Sequence, residues 1–192
     1  MSQDLFAHKA QEYEANARRV ATVQGIGQSL LSAIDLHGDM HLMDFGSGTG
    51  LLLEQLAPRV GKVTAVDVSA AMNQELEAKR RRLPCQLEIL PLDLTGEPLH
   101  TCLDGVRFDG IVSSLTLHHV ADIPALLQKA IPYLEESGSG KTEIWIASDM
   151  QSSSWRPNSP VWSSVRQRLA ALSIPPAVRI MALRDRPETN RG

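Results

Sequence analysis

The stretch that most constrains this chain is Leu42-Met43-Asp44-Phe45-Gly46-Ser47-Gly48-Thr49-Gly50. An apolar run breaks into three glycines at alternate positions, and Leu51-Leu52-Leu53-Glu54-Gln55-Leu56 follows at once. That order predicts a buried strand, a tight turn and a helix start. Glycine is needed where the backbone takes positive φ, or where a ligand lies close against the main chain. The N–H groups at the next helix start then favour a carboxylate or phosphate. The spacing is not the dinucleotide one, because the sixth position counted from Gly46 is Leu51; it is not a P-loop either, because no lysine appears until Lys62.

Around this turn the chain alternates strands and helices. Residues 5–37 read as helical, with Val20, Val23, Leu30, Leu31 and Ile34 roughly on one face and Gly25 and Gly27 weakening the middle. A helix over about 50–59 follows the turn. Lys62–Val68 is a near-continuous apolar strand, as in a parallel sheet covered on both faces. Its Asp67, 21 residues after Gly46, stands where a carboxylate accepts both hydroxyls of a ribose, or caps the next helix. Ser69 is the expected N-cap of a helix over 70–82. The basic run Lys79-Arg80-Arg81-Arg82 complements that helix's dipole rather than forming a nucleic-acid patch. Cys85–Leu90 alternates as a strand and meets Pro91, which predicts a sheet edge. A strand from Phe108, a helix capped by Asp122 with Pro124 in its first turn, and a strand over 142–149 complete the pattern.

Length and charge narrow the function. A chain of 192 residues is one domain with a real core. Its net charge of −3 sets up no field for nucleic acid or acidic membranes. Cys85 and Cys102 have neither metal nor disulfide-framework spacing. The opening residues carry no basic n-region or apolar h-region, and no apolar stretch approaches the ~18 residues of a membrane span. The expectation is a cytoplasmic protein with no metal, nucleic acid or membrane partner.

The turn's D-x-G-x-G-x-G spacing resembles motif I of class I S-adenosylmethionine-dependent methyltransferases. Phe108-Asp109-Gly110-Ile111, continuing to Leu117-His118-His119, resembles their motif IV and its extension in the branch that methylates quinones, sterols and a biotin precursor. The resemblance covers about residues 5–149. It implies an α/β, Rossmann-like fold: a mostly parallel sheet in strand order 3-2-1-4-5 flanked by helices, with the C-terminal hairpin incomplete. The implied organisation is an N-terminal helical lid segment over 1–40, a cofactor domain over 41–150 and a divergent tail over 151–192.

The family pattern implies sites residue by residue. Asp44, Gly46, Ser47, Gly48 and Gly50 would form the cofactor turn, Asp67 would meet the ribose, and Val68 would also contact the cofactor. Met72 would lie against adenine or in plain core. Asp93 and Leu94 would meet the adenine N6 and N1, with a surface-loop acid as the plainer reading of Asp93. Ser113 would close the cofactor site at the end of strand four. Tyr13 would belong to a lid, or, with Phe6, to an ordinary amphipathic helix. His118 would line the pocket and take part in proton transfer; adjacent His118 and His119 cannot easily share one metal. The implied activity is methyl transfer from S-adenosylmethionine to a small molecule at carbon or oxygen. No N/D-P-P-Y/F tetrapeptide ends strand four, where Ser113-Ser114-Leu115-Thr116 stands instead. The alternative is a non-catalytic S-adenosylmethionine sensor or partner subunit.

Past Met150 the resemblance stops. Residues 151–192 hold seven Ser, five Pro and seven Arg against one Asp and one Glu, a net +5, which leaves −8 over the first 150. Such a shift also fits a truncated or altered reading frame. One helix, 161–172, and one strand, 177–183, are legible. An open strand-five edge is a template for pairing, so residues 177–183 should cover it, or a homodimer should form through strand five or the tail.

Overall fold

Helix α1 (Ala17–Ala33) starts where Asn16 turns extended, its side chain accepting a hydrogen bond from the Arg19 N–H at 3.0 Å. The helix expected over 5–37 is therefore shorter, and Tyr13–Ala15 form a separate 3-10 turn ahead of it. The structure, a computed structural model, describes residues 10, 12–93, 96, 103, 105–137, 143–148 and 152–182. Phe6, Leu94 and Cys102 lie outside the described residues. α1 runs unbroken through Gly25 and Gly27. A Cβ on Gly27 would meet the Gln55 side chain at 2.4 Å, so the glycine lets the next helix approach.

The remaining elements are β1 (His41–Phe45), α2 (Leu53–Leu56), β2 (Lys62–Val66), α3 (Ala70–Lys79), β3 (Gln86–Leu90) and β4 (Gly110–Ser114). They continue with α4 (Ile123–Ser137), β5 (Glu143–Ser148), α5 (Ser152–Trp155), α6 (Val161–Ala171) and β6 (Ala177–Ala182). The sheet runs β3-β2-β1-β4-β5-β6, and every neighbouring pair is parallel. This is the expected order with one strand added.

From β1 the crossovers run toward β3 in one direction, and from β4 toward β6 in the other. Right-handed crossovers then put their helices on opposite faces. The inner strands β1, β2, β4 and β5 are buried on both faces accordingly, whereas the edge strand β6 leaves Val178 and Ile180 exposed. Leu42, Val63 and Ala65 pack with Val23, Ile26 and Leu30 of α1, Leu53 and Leu56 of α2, and Leu76 of α3. Met43, Ile111, Ile144 and Ile146 pack with Ile123, Leu126 and Leu134 of α4. β1 and β4 lie side by side and send their chains apart, so the crevice beyond their carboxyl ends is where a ligand binds in such a sheet.

The tail joins this architecture. β6 covers the β5 edge in register, from Glu143 beside Ala177 to Ser148 beside Ala182. It is a parallel strand rather than half of an antiparallel hairpin, and it satisfies the β5 backbone without a second chain. Three tail arginines pair with the acidic body: Arg156 with Asp122, Arg168 with Glu135 at 2.9 Å and Arg179 with Glu143 at 3.8 Å. Exposed pairs contribute roughly 0–1 kcal/mol each, yet they give the charge shift a structural reading. Trp155 anchors the tail, donating from Nε1 to the Ser148 hydroxyl at 2.9 Å and stacking on Trp162 with centroids 5.9 Å apart. Among the described residues, no helix is long and apolar enough to cross a membrane.

Candidate functional site

Gly46, Gly48 and Gly50 all have left-handed backbone, with φ of 72°, 53° and 83°. That conformation costs an ordinary residue roughly 1–2 kcal/mol. Beyond φ, the three differ. A Cβ on Gly46 would lie 2.1 Å from the Thr116 side chain, and one on Gly50 would lie 2.4 Å from Leu76 Cδ1. Around Gly48, its own chain neighbours aside, no atom of the described residues lies within 4 Å of that position. Gly46 and Gly50 thus serve packing, while Gly48 leaves space on the open side of the turn.

The turn is tied to the end of β2. The amides of Gly46 and Ser47 donate to the Val66 carbonyl at 2.7 and 3.2 Å. The Gly48 amide donates to Asp67 Oδ2 at 2.9 Å, and the Ser69 amide to Asp67 Oδ1 at 2.8 Å. Asp67 therefore holds two loops together before any ligand arrives. A carboxylate has about four acceptor positions, so half of its capacity is left for hydroxyl donors. Val68, beside it, is 59% exposed.

Beneath the turn, polar groups are buried without protein partners. Among the described residues the side-chain atoms so placed are Asp44 Oδ1, Ser47 Oγ and Asn73 Oδ1, while the buried Thr49 hydroxyl lies beside the Glu14 carboxylate and helps to lower its pKa. These atoms lie in β1, in the turn and at the start of α3, whose Asn73 donates to the Asp67 carbonyl at 2.9 Å. Buried polar atoms are normally satisfied, so this cluster is able to receive a polar ligand. Asp44 is fully buried. Burial, and then the negative charge of Asp67, pushes its carboxyl up to about 7. An acid poised there gains its charge readily beside a cation.

The other predicted residues fall as follows. Tyr13 is half-buried, with the Arg19 guanidinium 4.1 Å from its ring centroid. Burial raises its phenol pKa; Arg19 opposes this and Asp67 adds to it. Met72 is 3% exposed, so it lies inside rather than on the cleft. Asp93 is exposed just past β3, where Oδ1 accepts from the Gly96 amide at 3.3 Å. The Ser113 hydroxyl donates to the Phe45 carbonyl at 2.9 Å and so joins β4 to β1. His118 lies in the 3-10 turn Leu117–His119; its side chain is outside the described set. Asp109 lies at the opposite, amino end of β4, accepting from the His41 amide at 2.7 Å.

Two residues escaped the sequence reading. Thr116 donates to the Gly46 carbonyl at 2.9 Å, with the Ser114 carbonyl 3.0 Å from the same oxygen. It clamps the glycine turn from 70 residues away. Leu115, before it, is held at φ 53°. Such strain in a non-glycine residue is typical of functional sites, and this one ends β4 beside the turn. A cavity of about 430 Å³ lies at the amino ends of the strands between Leu30, Ile34, Leu42, Asp109 and Trp145. It is remote from the glycines and the orphaned atoms. Among the described residues, no group of three or more His, Cys, Asp or Glu could hold a metal.

The model of a family described as methyltransferase domain matches residues 43–139. An uncharacterized methyltransferase of Mycobacterium tuberculosis is 26% identical over 141 residues, covering 73% of this chain and 68% of that protein. A ubiquinone biosynthesis O-methyltransferase of Alkalilimnicola ehrlichii is 35% identical over 97 residues, covering 50% of this chain and 38% of that protein. Among solved structures, the DhpI–SAH complex superposes with a TM-score of 0.55 at 24% identity, covering 72% of this chain and 64% of that chain.

Proposed function

This chain belongs to the methyltransferase-domain family, whose members draw on S-adenosylmethionine, and from that premise we propose that it methylates a small molecule at carbon or oxygen. The observation that carries the reading is the group of orphaned buried atoms on Asp44, Ser47 and Asn73 around the opening at Gly48. In this reading Asp67 accepts the ribose hydroxyls, the exposed face of Val68 meets the base, and Asp44 faces the cationic amino-acid end. Asp93 borders the adenine side, and Tyr13 closes the cleft from the N-terminal segment.

S-adenosylmethionine, when bound, supplies a methyl group already activated by a sulfonium. What remains for the protein is to align an acceptor and exclude water. The end of β4 suits that task. Leu115 offers an apolar wall, and the nearby hydroxyls of Ser113 and Thr116 are engaged with backbone carbonyls. A carbon or oxygen acceptor is favoured over an amine held by paired polar side chains. Relatives named for ubiquinone biosynthesis support the oxygen case. A screen of small phenols, acids and activated-carbon compounds for S-adenosylhomocysteine release tests the proposal. Turnover with an amine or a macromolecule alone would overturn the acceptor class.

Asp44 makes binding depend on pH. The unfolded carboxyl titrates near 3.9 and the folded one at about 7, so the free protein keeps the proton across that interval. It is stabilised below it and loses that stabilisation as pH rises toward 7. A ligand cation that needs the ionised form then binds more tightly as pH rises, by up to about tenfold per unit below 7. S-adenosylhomocysteine affinity measured from pH 5.5 to 8 should follow this slope in the wild type and be flat in Asp44→Asn. A flat wild-type profile would remove Asp44 from the cationic end of the site.

A further inference from the structure

Among the described residues, Lys79 is the one buried cation, 8% exposed, and nothing in the cofactor site as built above uses it. It ends α3 and reaches two carboxylates on different segments. Its ammonium donates to Glu14 of the N-terminal 3-10 turn and lies 3.0 Å from Glu54 of α2. Burying an ammonium is costly unless it is paired, so this slot exists only while both segments are docked. Burial raises the Glu14 carboxyl and the Lys79 ammonium lowers it, with a net fall. The same turn carries Tyr13, whose phenol feels Asp67. Arg19 fixes the turn to α1, donating to the Tyr13 carbonyl at 2.7 Å and covering the ring. One end of the bridge is therefore the segment closing the cleft, and the other is the helix that follows the glycine turn.

We propose that Lys79 is a positioning residue for the cofactor: by joining Glu14 to Glu54 it latches Tyr13–Ala15 against the glycine-turn helix and sets how fast the ligand leaves. The proposal rests on the cleft being the S-adenosylmethionine site. The latch acts after entry, so it slows dissociation and leaves association nearly unchanged. Lys79→Met removes the bridge and leaves two carboxylates facing each other. Glu14→Gln breaks the half that holds the N-terminal segment, together with the Glu14 contact to Thr49 of the glycine turn, and Glu54→Gln breaks only the half within the domain body.

Stopped-flow kinetics with S-adenosylhomocysteine provide the test. Dissociation should quicken roughly tenfold in Lys79→Met and in Glu14→Gln, a half-exposed charged hydrogen bond being worth less than a buried one. Association should stay within about threefold. The double variant should release the ligand little faster than Lys79→Met alone, because both changes break the Lys79–Glu14 contact. Glu54→Gln should change release far less. Equal effects from Glu14→Gln and Glu54→Gln, or unchanged release in Lys79→Met, would overturn the proposal. Hydrogen exchange without ligand separates this from failure of the site itself. Lys79→Met and Glu14→Gln should quicken exchange at Tyr13–Ala15 whether or not the wild type binds S-adenosylhomocysteine, and unchanged exchange there would also overturn the latch.

Discussion

Gly48→Val will abolish S-adenosylmethionine binding while the protein still unfolds in one cooperative transition. The fold has little to lose, since beyond the chain neighbours no atom of the described residues lies within 4 Å of the Cβ position. The remaining cost is a branched residue at φ 53°, of order 1–3 kcal/mol, against a typical stability of roughly 5–15 kcal/mol. The ligand loses the space it needs, and a loss beyond about a hundredfold is expected from a clash that neither partner can relieve. Gly46→Ala and Gly50→Ala provide the contrast. Their methyl groups would meet Thr116 and Leu76, so both should lower the melting temperature first. Calorimetric titration with S-adenosylhomocysteine, paired with a circular-dichroism melt, reads both quantities. Affinity within threefold of wild type in Gly48→Val would show that the ligand does not pass that side of the turn.

Asp67→Ala should weaken binding by roughly 2–4 kcal/mol, about 30- to 1,000-fold, from two charge-assisted hydrogen bonds that are not fully additive. Part of that loss is indirect, because Asp67 also accepts from the Gly48 and Ser69 amides. The ribose role is isolated by pairing the variant with a changed ligand. Wild type should prefer adenosine to 2′,3′-dideoxyadenosine, and Asp67→Ala should lose that preference whatever its overall affinity. An equal preference in both proteins would leave Asp67 with its loop-holding role alone.

Local signals made much of this legible. Alternating glycines after an apolar run gave the β1 turn, Pro91 placed β3 at an edge, and Ser69 caps α3 with the Met72 amide donating to its hydroxyl at 3.2 Å. What escaped depends on residues far apart in the chain. Gly46 and Gly50 are constrained by Thr116 and Leu76, and no pattern around the glycines names either partner. Asp67 reads as a ligand acid from its spacing, but its bonds to Gly48 and Ser69 need the turn's three-dimensional path. The tail looked foreign because its arginines lack local acids, yet three of those acids stand on α4, β5 and the turn before α4. Ser152–Trp155 lies in a serine run with weak helix propensity, and its helix follows from the burial of Trp155. Met72 reads by position as an adenine contact or as core, and it is 3% exposed in the fold.

The most direct measurement is hydrogen exchange along the backbone with and without S-adenosylhomocysteine. The ligand should slow exchange across Gly46–Gly50 and Asp67–Ser69, at the carboxyl ends of β1 and β2, and leave residues 34–40 and Asp109 beside the amino-end cavity unchanged. Slowing confined to that cavity, or no slowing at the glycine turn, would contradict the assignment of the cofactor to this cleft.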